Sequence, residues 1–147
     1  RIAALGGLQL ASEDLSVQDN PALLSLVGLD QVLSVGRDLD ISGNTSLVDL
    51  SGLSAISSVA GDLRFMNNNT MVSLDGIPAL REVSSTLTVS GNASLTDLDA
   101  LLSITQALEG IRVHHNDLLC QSYAESVVAQ LTVSDEVAVH DNLGGCN

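Results

Sequence analysis

The sequence predicts an all-β-like repeat solenoid, built from parallel 24-residue coils and closed by a short C-terminal helix. Three observations predict it. Asn20, Asn44, Asn68, Asn92 and Asn116 recur at a constant 24-residue interval, and Asn142 follows 26 after the last. Counting forward from each Asn, apolar residues recur at plus 3, 6, 9, 12, 15, 19 and 21. Aromatic residues make up only 1% of a chain that is 45% hydrophobic, as suits a narrow interior filled by Leu, Ile and Val. A fixed period of this kind is the signature of units that bury their apolar face only by stacking.

The chain reads as one domain over residues 1–147: a partial first coil at 1–19, four regular coils over 20–115, and a C-terminal cap at 116–147. In the partial coil, Leu5, Leu8, Ala11, Leu15 and Val17 fall on the later columns. Arg1–Leu5 enters that coil part-way, so either upstream coils were removed or another element covers this end. The first regular coil fills all seven columns with Leu23, Leu26, Leu29, Val32, Val35, Leu39 and Ile41. The second repeats this as Leu47 through Phe65, the third as Met71 through Val89, and the fourth as Leu95 through Val113, with Ala107 in the plus-15 column. Steps of three match neither an α-helix nor a strand, and suit extended or 3₁₀-like turns. The pair at plus 19 and 21 alternates, so Leu39-Asp40-Ile41 and its counterparts read as short strands. Parallel strands in register would stack them about 4.8 Å apart.

The Asn column reads as structural. An inward Asn offers its amide to backbone groups left unpaired at a corner, and stacked Asn side chains can bond as a ladder. Asn44, Asn68 and Asn92 also satisfy the N-x-[ST] glycosylation pattern, the competing reading. In the cap, Ser122-Tyr-Ala-Glu125 is a capping-box pattern with Ser122 as N-cap. Ala124, Val127, Val128 and Leu131 follow at helical spacing, and Val137-Ala-Val139 reads as a final strand. Cys120 and Cys146 each lie four positions after a ladder Asn. Stacking would bring them within disulfide reach and imply an oxidising setting; the alternative is two reduced thiols.

A net charge of −13, with no Lys and five Arg, gives a field that repels phosphate. This argues against nucleic acid and anionic membrane surfaces as partners. No apolar run approaches the roughly 18 residues of a membrane span, so direct insertion is not expected.

Outward strand positions are where a solenoid usually binds. The candidate face comprises Arg64, Met66, Asn67, Arg112, His114, His115 and His140, a basic patch on an acidic body. The plainer alternative is ordinary solvated strand residues. His114, His115, His140 and Asp141 raise the question of a transition metal, but successive strand residues face opposite ways, and no metal or other cofactor is assigned. The scattered Asp residues, among them Asp38 and Asp62, fit neither an EF-hand nor a calcium β-roll and read as a solvated acidic face. A β-helical polysaccharide lyase is the nearest enzyme by architecture. The uniform coils, the lack of Lys and the absence of a Ser-His-Asp or nucleophile-elbow pattern argue against catalysis.

The stretches Gly36-Arg-Asp-Leu-Asp-Ile-Ser-Gly-Asn44-Thr-Ser-Leu-Val-Asp-Leu50 and Leu87-Thr-Val-Ser-Gly-Asn-Ala-Ser-Leu-Thr-Asp-Leu98 resemble the repeat of the receptor L domain, a leucine-rich-repeat-like solenoid. The run from Asn116-Asp-Leu-Leu-Cys120 to Cys146 is similar to the closing coils of its bacterial surface members. The resemblance implies a right-handed parallel coil and non-catalytic extracellular recognition or adhesion, with a protein or glycan as partner. The alternative is a structural spacer or filament subunit that self-associates end to end through its N-terminal coil.

Overall fold

A computed structural model describes residues 7–146, so the reading of Arg1–Leu5 lies outside the described residues. The order along the chain is β1 (Leu10–Ala11), β2 (Leu15–Gln18), β3 (Ser34–Val35), β4 (Leu39–Ser42), β5 (Ser58–Val59), β6 (Leu63–Met66), β7 (Glu82–Val83), β8 (Thr86–Ser90), β9 (Leu108–His114), α1 (Gln121–Val128) and β10 (Val133–His140). The strands form two sheets, one in the order β1-β3-β5-β7 and a larger one in the order β10-β9-β8-β6-β4-β2. Every pair of neighbours within them is parallel. This arrangement is consistent with a parallel β solenoid.

The register follows the period of the sequence. Leu15 pairs with Leu39, Leu39 with Leu63, Leu63 with Leu87 and Leu87 with Ile111, each step one full period. The last step, Ile111 to Val137, is longer by two. Alternation turns Leu39 and Ile41 inward and leaves Asp40 and Ser42 half-buried outside, and β6 repeats this with Leu63 and Phe65. All seven apolar columns of the second and third regular segments are buried. Phe65, with none of its surface exposed, is the largest of the fully buried side chains.

In the fourth segment the pattern slips. Ala107 is exposed, and Leu108 takes the buried place at 1% exposure. A Leu side chain buries several times the apolar surface of an Ala methyl, so the chain advances by one position to put it inside. Leu108 is then the first residue of β9, which pairs directly with Val133 of β10.

A polar column runs through this apolar stack. The Oδ1 atoms of Asn44, Asn68, Asn92, Asn116 and Asn142 each accept from the backbone N–H of the preceding Asn, at 3.0–3.3 Å. Their Nδ2 atoms donate to the carbonyls of Val17, Ile41, Phe65, Val89 and Val113, the last inward residues of the neighbouring strands. Those five Asn are buried. Asn20, at the outer end, is exposed. The Nδ2 atoms that a glycan would need are therefore engaged inside the fold at Asn44, Asn68 and Asn92.

The cap differs from the capping-box expectation. Helix α1 begins at Gln121, and its N-cap is Cys120, whose Sγ accepts from the Tyr123 N–H at 3.3 Å. Cys120 is bonded to Cys146, with the Cα atoms 5.1 Å apart. That bond fixes a sulfur where the Ser122 hydroxyl was expected, so Ser122 donates to Cys146 Sγ instead. Glu125 accepts from Gln121 Nε2 rather than reaching back to an N-cap. Gln121 also ends the ladder: its Oε1 accepts from both the backbone N–H and Nδ2 of Asn142. Tyr123 ties the helix to the fourth segment, its hydroxyl accepting from Leu98 N–H at 2.9 Å and donating to Asp99. The final strand spans Val133–His140 and is longer than the Val137–Val139 core expected.

Candidate functional site: the outer face of the large sheet

The outer face of the larger sheet carries the residues singled out from the sequence. Register places Asp40, Arg64, Thr88, Arg112 and Ala138 in one row, and Ser42, Met66, Ser90, His114 and His140 in the next. Met66 and His114 are half-buried, whereas Asn67, His115 and His140 are exposed.

The face differs from the expected basic patch in one respect: its arginines are paired. Arg64 bonds Asp38 at 2.9 Å and also Asp62. Arg112 bonds Glu136 of the neighbouring strand. Each guanidinium is thus balanced in place, and the row is a mixed-charge network.

Asp38 and Asp62 belong to a second column that the sequence reading took for solvated acid. The Oδ1 atoms of Asp14, Asp38 and Asp62 accept from the backbone N–H groups of Asp38, Asp62 and Thr86 in turn, at 3.2, 2.9 and 3.0 Å. The Asp62 N–H, followed by Arg64, holds the Asp38 carboxyl below the ordinary carboxylate range. The signal that could have found this column was that the three Asp residues share the period of the Asn column.

Just beyond the strands, Asp19, Gly43, Asn67, Gly91, His115 and Asp141 all take left-handed backbone conformations, with φ of 54–69°. Glycine alternates with longer residues for a steric reason. A Cβ at Gly43 would lie 2.3 Å from Asp19 Oδ1, and one at Gly91 would lie 2.2 Å from Asn67 Oδ1. Each long side chain needs a bare neighbour to lie across. The alternation breaks at His115 and Asp141, which stand side by side with His115 Nε2 3.7 Å from Asp141 Oδ2.

This break gathers the three histidines. His114 and His140 are register partners, their rings stacked 5.1 Å apart and nearly parallel. The left-handed corner at His115 turns its ring to the same side, 5.0 Å from His114. Burial, followed by the two neighbouring imidazoles, lowers the proton affinity of His114. Among the described residues, no group of three or more His, Cys, Asp or Glu side chains is arranged to hold a metal ion.

At the C-terminal end, an open groove of about 420 Å³ lies between α1 and β10, lined by Val128, Leu131, Val133, Val137 and Val139 among others. Among the described residues no helix is long and apolar enough to cross a membrane. The disulfide fits an oxidising environment. Comparisons with protein-family models, with curated proteins and with solved structures found no match.

Proposed function

We propose that this chain is a non-catalytic recognition or adhesion module of an extracellular or cell-surface protein. In this reading it is a leucine-rich-repeat-like solenoid of the receptor L domain type, with 24-residue coils, and it binds a protein or glycan through the outer face of its larger sheet. The observation that carries the reading is the continuous six-stranded parallel sheet. Its outer rows bring Met66 of β6, Arg112 and His114 of β9 and His140 of β10 onto one surface, with Asn67 and His115 at its corner. Such a surface suits polar and ring-bearing ligands: paired arginines offer oriented donors, and the imidazoles and Met66 offer flat or apolar contact. The disulfide supports the extracellular setting.

The test is binding of the labelled protein to a printed glycan array and an array of extracellular protein domains. A triple variant with Met66→Ala, Arg112→Ala and His115→Ala should lose the ligand found. A Val48→Ser control on another exposed column should keep it. Undiminished binding by the triple variant would reject the face.

A second reading, a structural spacer or filament subunit, draws on β10. This strand is the edge of its sheet, and Val137 in it is 57% exposed. Open strand edges template further pairing. End-to-end assemblies in electron micrographs would favour this reading, and a monomer on size exclusion would favour the binding module.

A further inference from the structure

Three imidazoles crowd the end of the large sheet where β10 meets β9. His114 Nδ1 lies 2.8 Å from His115 Nδ1 and 3.0 Å from Ser90 Oγ of β8. A hydrogen bond between two ring nitrogens holds one proton, so one ring must supply a lone pair. Two imidazolium rings cannot make that contact. The His114 and His140 rings stack face to face at 5.1 Å, and those of His115 and His140 are 6.0 Å apart. Both arrangements suit rings that are not all charged.

The groups facing the cluster cannot balance full protonation. From β8 comes only the neutral Ser90 hydroxyl. From β9, Arg112 adds a positive charge already paired with Glu136. From the corner after β10, Asp141 reaches His140 Nδ1 at 2.8 Å and His115 Nε2 at 3.7 Å. One carboxylate thus faces three rings that would each carry a positive charge.

We infer that the cluster is an acid-operated latch on the edge strand: it holds the end of β10 against β9 at neutral pH and lets it go as the rings protonate. The strain falls on β10 because β9 is paired on both sides and β10 on one. The corners flanking the cluster, His115 and Asp141, are also left-handed at non-glycine residues, which sets both side chains beside the rings. The sign is fixed by His114, whose proton affinity is depressed in the fold. Its contribution is complete above the ordinary imidazole value of about 6.5 and is lost as pH falls below it. The latch does not depend on what the outer face binds.

The test is amide hydrogen exchange of the whole chain at pH 7.5 and pH 5.0, expressed as protection factors, alongside a nuclear magnetic resonance titration of the imidazoles. Protection over Val137–Asn142 should fall at least tenfold at pH 5.0 while Leu39–Ser42 keeps its own. His115→Gln should shrink that loss, and Asp141→Asn should deepen it and extend it to lower pH, because Asp141 is the one carboxylate that favours the protonated rings. Equal protection at both pH values would overturn the latch. So would a uniform loss across the chain, or three imidazoles titrating independently. The wild-type measurements decide the matter even if a variant fails to fold.

Discussion

Replacing Asn68 by Ala removes two hydrogen bonds from the centre of the stack and adds none. The Ile41 carbonyl loses its side-chain donor at 2.8 Å, and the Asn44 N–H loses its acceptor at 3.1 Å. Asn44 and Asn68 have none of their surface exposed, so water does not replace the missing partners. The buried Asn44 N–H left unpaired costs about 1–3 kcal/mol and the second bond lost at the Ile41 carbonyl about 0.5–1.5 kcal/mol, which gives about 1.5–4.5 kcal/mol for the substitution. That is a large share of the roughly 5–15 kcal/mol that holds an ordinary domain together. Asn68→Asp should cost more than Asn68→Ala, because it keeps the acceptor but sets a carboxylate against the Ile41 carbonyl. Asn20→Ala is the control: Asn20 is exposed, and the loss should stay within about 0.5 kcal/mol. Urea unfolding with an unchanged slope reads all three. A loss below about 1 kcal/mol for Asn68→Ala, or an equal loss for Asn20→Ala, would refute the ladder as a stabilising element.

Four further outcomes are expected. Tyr123→Phe strands the Leu98 N–H and should cost about 1–2 kcal/mol in the same assay. Cys120→Ser with Cys146→Ser opens a link that spans a sequence separation of 26 and should cost about 3.5 kcal/mol by the chain-entropy estimate; mass after alkylation with and without reductant checks that the bond forms. Asp38→Asn keeps an acceptor for the Asp62 N–H but loses the charge that faces Arg64. Since the Asp38 carboxyl is held below its ordinary range, its contribution is complete above about pH 4 and fades below it, so thermal melts of variant and wild type should converge in acid. Finally, peptide mapping of protein secreted from a glycosylating host should find Asn44, Asn68 and Asn92 unmodified, because their Nδ2 atoms point into the core.

The strands and their register were legible because a constant period forces like residues into the same place. Leu39, Leu63 and Leu87 could be aligned from the sequence, and they pair in that register. The buried Asn column and the cysteine pair were legible for the same reason. What escaped the reading depends on competition between side chains for one position. Ala107 kept its column by spacing but lost it to Leu108 by size. Ser122 had the composition of an N-cap, yet the disulfide placed Cys120 there first. Arg64 and Arg112 looked like free positive charge because Asp38 and Glu136 lie 26 and 24 residues away along the chain, and Asp62 lies beyond the adjacent residue. The histidine cluster needed the left-handed turn at His115, and no pattern in the sequence announces one at a histidine.

A buried polar column sets the register of the large sheet and so aligns its outer face. Hydrogen exchange at the backbone amides of Asn44, Asn68, Asn92 and Asn116 tests this most directly, because each is bonded to the side chain of the next Asn in the column. At pH 7.5, where the latch holds β10 in place, the predicted result is that all four exchange only through global unfolding, with the free energy that urea gives for the whole chain. Fast exchange at these amides, as at ordinary exposed turns, would contradict it.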